Sequence, residues 1–264
     1  RLGHTVYPLD YGGRRDRGWV GDAILEASKG CDLILLAKIS AIPNQLLIEL
    51  TKEIPTIYWY NDGTDHWRRE QVRASLCSEI IHHSHLLADR LGHTQAFEGY
   101  SPEFDYPRDV EQDIPVIFLG SKKNRQRRGY RGAIPFKRIK HSTPEEHAIW
   151  VSRSKINLNF TQNGNLGFSD RVFKTLAAGG FLLSNDCKEI TSVFTPGEHL
   201  DVFNSEEGLR GKIQYYLSHP EERMQIAKAG REFVLPRFSN DNWAETIDRV
   251  AQDLVSKRLQ IIRT

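Results

Sequence analysis

The chain has 264 residues, with 36 Lys or Arg against 34 Asp or Glu and a formal net charge of +2. That length suits one large domain or two of ordinary size. Its 39% hydrophobic and 27% charged residues are the fractions expected of a soluble globular protein, and the net charge by itself is no signal for nucleic acid. No apolar run approaches spanning length and no signal-peptide pattern opens the sequence. The three cysteines (Cys31, Cys77, Cys187) are widely spaced without a CxxC pair, so neither a membrane span, a disulfide framework nor a zinc knuckle is expected, and a reducing, cytoplasmic setting fits best.

Taken in chain order, the first half alternates strands and helices. Thr5–Asp10 reads as a short strand ending in an acid, Val20–Ser28 has helical spacing, and Cys31–Lys38 is a buried-strand run. Pro43 fits the first turn of a helix through Leu50. Pro55–Tyr60 is a strand closed by the turn chemistry of Asn61-Asp62-Gly63. Trp67–Leu76 is helical and Ser78–His83 is strand. Ser84 caps a helix that stops at Gly92, and Thr94–Tyr100 is a last short strand. Repeated strand-then-helix units with near-continuous apolar strands predict a parallel sheet covered on both faces. The opening Arg1-Leu2-Gly3-His4 resembles the end of a helix running into a strand, so the expectation is either a sequence short at its start or an α/β unit that lacks the usual first βα unit.

Ser101–Asp113 holds two prolines and five acids and reads as a linker. A second alternating half follows. Ile114–Leu119 is a strand ending at Gly120, and Ile134–Ile139 is another. Between Ser121 and Lys140 there are nine Lys or Arg and no acid, a density that attracts polyanions or forms a solvated loop. Ser142-Thr143-Pro144-Glu145-Glu146 is a helix start with a capping residue, proline at the first position and acids in the first turn. Ser154–Asp186 then reads as strand, polar loop, short helix, Gly-Gly stop and apolar strand. Ser169 is its expected N-cap. Arg171 and Lys174 follow in the first turns, where cations oppose the helix dipole unless an anion faces them. A bound phosphate or ordinary surface solvation would each account for them. After a turn at Thr195–Glu198 come the strand Leu200–Phe203, helices Glu206–Leu217 and Pro220–Val234, and an amphipathic helix Asn240–Leu259.

The second half carries a series of motifs: Phe118-Leu119-Gly120-Ser121, Ser154 to Phe160, Asp170-Arg171-Val172-Phe173 running into Leu176-Ala177-Ala178-Gly179-Gly180, Leu217 to Arg223, and Ile226 to Gly230. In this series, from about Ile114 to Arg249, the chain resembles the nucleotide-sugar-binding domain of GT-B glycosyltransferases, in particular the glycosyl transferase group 1 branch related to the spore-maturation protein CgeB. The resemblance implies two Rossmann-like domains facing across a cleft: an acceptor-side domain over 1–108, a donor domain over 109–240, and a helix over 241–264 that crosses back. It implies transfer of a sugar from a nucleotide diphosphate sugar, a UDP-sugar foremost, to an acceptor hydroxyl, with no metal or other cofactor required. One departure stands out. Where retaining relatives carry two acids eight residues apart, this chain has Leu166 and Lys174, so ribose contacts come from elsewhere.

Such a site needs preorganised positive charge at the leaving diphosphate. The donor-binding candidates are Gly120, Ser121, Arg125, Arg128, His141, Gly167, Phe168, Ser169, Arg171 and Lys174. Gly120 would admit the diphosphate close to the backbone. The catalytic candidates for proton abstraction are Asp62, Asp65 and His66, which follow a strand at the carboxyl edge where ligands bind in open α/β sheets. Turn formation and helix capping are the plainer roles for these two acids. His82-His83-Ser84-His85 lacks a complete ligand set and is taken as a strand-to-helix junction. The acceptor is a saccharide, lipid or protein, or, through the basic segment, hydroxymethylated DNA as in phage enzymes that glycosylate 5-hydroxymethylcytosine. A non-catalytic nucleotide- or polyanion-binding module is the third reading.

Overall fold

The structure, a computed structural model, describes residues 2–9, 17–37, 39–40, 42–61, 64–120, 136–140, 143–161 and 167–263. Within these, 17–20, 64–66 and 261–263 are described for the backbone alone. The chain divides into two units, one of residues 1–96 with 244–264 and one of residues 97–243.

The first unit runs α1 (Arg17–Ser28), β1 (Ile34–Leu36), α2 (Asn44–Glu53), β2 (Thr56–Tyr60), α3 (Thr64–Ala74), β3 (Glu79–His82), α4 (His85–Leu91) and β4 (Thr94–Gln95). Its sheet has the order β1-β2-β3-β4, every pair parallel. All five residues of β2 are buried, as a strand with both faces covered requires. The core joins Leu36, Ile39, Leu47 and Leu50 to Tyr58, Tyr60 and Trp67. Local chemistry sets the ends of α4. The Ser84 hydroxyl accepts from the Leu87 N–H, and Gly92 closes the helix in the left-handed conformation at φ 69°.

Two expectations for this unit are corrected. Thr5–Asp10 forms no strand over its described part, residues 5–9. Val6 and Tyr7 are 75% and 69% exposed, and β1 pairs with β2 alone among the described strands. A strand is stable only against a neighbour that takes its hydrogen bonds. This segment is held instead by His4, whose Nε2 lies 2.6 Å from Asp248 Oδ1. The strand expected over Thr94–Tyr100 is shorter, two residues long, with Tyr100 making an isolated bridge to Ser239 in the second unit.

The second unit contains β5 (Ile114–Leu119), β6 (Lys137–Ile139), α5 (Pro144–Ser152), β7 (Ser154–Asn159), α6 (Arg171–Ala177), β8 (Leu182–Asn185), α7 (Lys188–Val193), β9 (Asp201–Phe203), α8 (Glu206–Ser218) and α9 (Pro220–Val234). α10 (Asn240–Arg263) starts in this unit and ends in the first. The sheet order is β6-β5-β7-β8-β9, again parallel throughout. Alternation along β5 sends Val116 and Phe118 into the cluster with α8 and α9, and Ile117 and Leu119 into the cluster with α5. α5 opens with a full capping box between Thr143 and Glu146, with Pro144 at its first turn. The segment read as a linker, Ser101–Asp113, belongs to this unit. Within it, Asp105 is 3% exposed and accepts from the Ser101 N–H at 2.8 Å.

Among the described residues, no helix is long and apolar enough to cross a membrane.

Candidate functional site

The carboxyl ends of β5 and β7 and the start of α6 converge on Arg171. Its guanidinium carbon lies 5.5 Å from the Phe118 ring centroid, and its Nη1 donates to Asn159 Oδ1 at 3.4 Å. Asn159 is fixed in turn by its Nδ2, which donates to Ser184 Oγ at 2.9 Å. No carboxylate forms an ion pair with Arg171 among the described residues. Burial pulls its pKa below the ordinary arginine value, opposed by the charge of Asp170. An arginine remains protonated under such a pull, so this edge of the sheet holds a fixed positive charge.

Gly120 follows β5 beside this side chain. Its φ is +155°, and a Cβ there would come within 2.6 Å of Phe118 Cζ and 3.3 Å of Arg171 Nη2. Glycine is needed because the ring and the guanidinium occupy that space. The Gly120 N–H donates to the Ile139 carbonyl at 2.8 Å, which fixes the end of β5 against β6.

Two expectations at α6 are revised by the geometry. Asp170, in the helical region, takes the cap position, and no side chain caps the helix. Ser169, the expected cap, contributes its carbonyl to the Val172 N–H, and its Oγ is buried without a partner among the described residues. Lys174 is no unexplained cation. It pairs with Asp170 one turn earlier, and in a seven-residue helix it stands in the last turn, where a cation suits the dipole. Burial pulls the Lys174 pKa down, but Asp170, through its charge and a hydrogen bond, with Asp105 and Glu98, raises it overall.

Phe168 is buried and its ring stacks on Phe97 and tilts against Phe173, so its side chain belongs to the core. Gly167 has φ +90°, and its carbonyl lies 3.9 Å from Cys187 Sγ. Ser121, Arg125, Arg128, His141 and Asp62 lie outside the described residues. Asp65 and His66 fall in the first turn of α3, where the backbone alone is described. Of the candidates, the structure sets Gly120 beside Arg171, while Ser169 precedes α6 and Lys174 pairs with Asp170 along it.

Phe118 and Asn159 had no role assigned from sequence. The available signal was the alternation in Ser154–Asn159. Asn157 and Asn159 are buried polar positions on one face of a strand whose other face carries Ile156 and Leu158. His147 on α5 is buried with neither ring nitrogen hydrogen-bonded among the described residues, its Nδ1 3.9 Å from Asp105 Oδ1. Burial, then the Arg171 and Lys174 charges, push the His147 pKa down to about 4. Burial pushes Asp105 up to about 6, against the Ser101 N–H and Lys174.

In the first unit, His82 at the end of β3 stacks on His93, rings 5.0 Å apart, with Nε2 to Nδ1 at 2.9 Å. Among the described residues no group of three His, Cys, Asp or Glu side chains could hold a metal ion.

The two parallel α/β units and the cationic end of the second sheet define the class: a GT-B glycosyltransferase fold. Structures similar to it include sucrose-phosphate synthase from Thermosynechococcus elongatus, at 15% identity and TM-score 0.68, covering 95% of this chain and 82% of that one. Anabaena Alr3699/HepE in complex with UDP-glucose matches at 12% identity and TM-score 0.71, covering 87% and 82%. T4 phage BGT in complex with its UDP-glucose substrate matches at 11% identity and TM-score 0.51, covering 87% and 84%. No curated protein matches the chain in sequence. Residues 107–249, just over half of the chain, match the glycosyl transferase-like family, and the chain belongs to that family.

Proposed function

We propose that this glycosyltransferase moves a sugar from a UDP-sugar to an acceptor hydroxyl, with Arg171 neutralising the departing diphosphate. The observation that carries the reading is Arg171 itself, a fixed cation without an ion-pair partner among the described residues, at the carboxyl edge of a parallel sheet. The likeness of the fold to two proteins solved with UDP-glucose supports UDP as the carrier.

In this reaction the acceptor oxygen bonds to the anomeric carbon as the bond from that carbon to the diphosphate oxygen breaks. The electron pair leaves with the diphosphate, where negative charge grows. A guanidinium already in place stabilises that growing charge without reorganising. Gly120 leaves the end of β5 free of a side chain of its own beside Arg171, and the Ser169 hydroxyl, without a hydrogen-bond partner among the described residues, is proposed to turn to a phosphate oxygen. The proton of the acceptor goes to a general base, for which Asp62, Asp65 and His66 in the first unit are the candidates. Ser121, Arg125, Arg128 and His141 extend the proposed donor site. Arg171 supplies the charge, and the reaction is proposed to proceed without a divalent ion. The three cysteines are free, in keeping with a reducing, cytoplasmic setting.

The nine cations between Ser121 and Lys140 favour a second reading for the acceptor, hydroxymethylated DNA, reached by extruding the base. One experiment tests donor and acceptor together. Thermal shift with UDP, GDP and their sugars is followed by transfer of labelled sugar to DNA with and without 5-hydroxymethylcytosine, in the presence and absence of EDTA. A shift with UDP-sugars and transfer that survives EDTA are expected. The absence of a shift with every nucleotide overturns the donor assignment, and equal background incorporation on both DNAs removes the DNA reading.

A further inference from the structure

Along α9, Arg223, Ala227 and Arg231 recur every four residues, with Met224 and Lys228 one position on, so they share one side of the helix. This side closes a cleft of about 240 Å³ in the second unit, against Lys155 at the start of β7 and Phe181 just ahead of β8. The cleft therefore opens at the amino edge of the sheet, the end opposite Gly120 and Arg171.

Four cations line this cleft and no carboxylate does. Arg223 is 5% exposed, and its one side-chain hydrogen bond among the described residues runs from Nη1 to the Tyr216 carbonyl at 2.6 Å. Arg231 Nε donates to the Ala177 carbonyl at 3.1 Å. Neither arginine, nor Lys155, has an ion-pair partner among the described residues. Lys228 lies 3.9 Å from Glu232, both well exposed. A buried guanidinium beside further cations is costly when no anion balances it, because like charges repel more strongly where water is excluded.

We propose that this cleft binds a small phosphorylated anion, at a site separate from the donor site. The guanidinium forks of Arg223 and Arg231 suit phosphate oxygens, and Lys155 and Lys228 add charge at the rim. Phe181 and Met224 form an apolar wall for a carbon skeleton. The volume accommodates one sugar-phosphate-sized ligand and is too confined for a continuous nucleic-acid backbone.

Calorimetric titration of the full chain with inorganic phosphate, pyrophosphate and glucose 6-phosphate tests the site at low salt. The double variant Lys155→Gln with Lys228→Gln should weaken binding at least about tenfold, since each removes a charged contact to the ligand. Arg171→Ala, which tests the donor reading independently, should leave the lysine-dependent part of the glucose 6-phosphate binding in place. Arg223→Met should abolish it, and where that variant does not fold the lysine pair decides. A tighter response to glucose 6-phosphate than to inorganic phosphate assigns the ester; equal responses assign the free anion. Absence of binding by all three probes at millimolar concentration, or binding lost with Arg171→Ala and kept by the lysine pair, overturns the site. So does binding of a duplex oligonucleotide that depends on the lysine pair while the small phosphates do not bind.

Discussion

Arg171 holds its guanidinium carbon 5.5 Å from the Phe118 ring centroid, within the range where the face of an aromatic ring attracts a cation. The ring supports the cation from one side without neutralising it, as a carboxylate would. Asp170, the nearest acid in sequence, is drawn to Lys174 instead. Arg171 is thereby positioned and still charged toward a ligand.

Replacing Arg171 by alanine should weaken UDP binding about tenfold to a hundredfold, because a charge-assisted contact to the diphosphate is lost. A melt without ligand separates lost binding from lost stability, since the change also removes the hydrogen bond to Asn159 and the contact with Phe118. Arg171→Lys should recover little, as a point charge cannot span two phosphate oxygens. Titration with UDP and a thermal melt of each variant measure this, and undiminished affinity in the alanine variant refutes the assigned role.

Gly120→Ala should destabilise the second unit by about 1–3 kcal/mol, through overpacking and an unfavourable backbone angle. The added Cβ meets Phe118 Cζ at 2.6 Å, so shortening the ring by Phe118→Leu should relieve part of that cost. A double-mutant cycle on denaturant midpoints reads the coupling. Strict additivity would contradict the steric account.

Acid should destabilise the first unit through His82. Burial, then the charge of His93, lowers its pKa from 6.5 to about 3. Between those values the unfolded chain binds the proton and the folded one does not. The stability is thus complete above pH 6.5 and is lost as pH falls toward 3, by about 1.4 kcal/mol per pH unit for one proton. His82→Phe keeps a ring in the stack and should flatten this slope in denaturant titrations at several pH values. An unchanged slope would exclude His82 as its source.

Asp105 acts in the opposite sense. Its pKa rises from 3.8 to about 6, chiefly by burial, so the folded state holds the proton between these values. Stability from this group is present at low pH and is lost as pH rises from 3.8 to 6. His147, lowered to about 4, loses stability as pH falls from 6.5 to 4, so the two nearly cancel in the second unit. Asp105→Asn retains an acceptor for the Ser101 N–H and removes the buried charge. It should raise stability at pH 7 by about 2–3 kcal/mol and expose the acid sensitivity of His147. A variant less stable than the parent at pH 7 would show that the carboxylate is needed charged.

Much of the fold was legible in the sequence because its signals are local. Ser84 with Gly92, and Thr143 with Pro144 and Glu146, set helix ends through bonds within a few residues. The runs at Thr56–Tyr60 and Ile114–Leu119 marked strands buried on both faces. The strand expected at Thr5–Asp10 did not form over residues 5–9, because strand formation depends on a distant partner that its own residues cannot specify. α7 had no strong periodic or capping signal: its N-cap residue, Cys187, makes no side-chain bond.

At the site, sequence by itself determined that a cation follows a strand-and-loop unit at Arg171, and that a glycine ends the strand at 120. Only tertiary structure decided which cation is without an ion pair among the described residues. Asp170 lies four residues before Lys174 and one before Arg171, and sequence spacing alone does not choose between them. The helix begins at Arg171, which places Asp170 and Lys174 one turn apart on the same side, while Phe118 and Asn159 from two neighbouring strands hold Arg171. The reason for Gly120 was decided in the same way, by a ring two residues back and a guanidinium from another element, whose shared space no local pattern records.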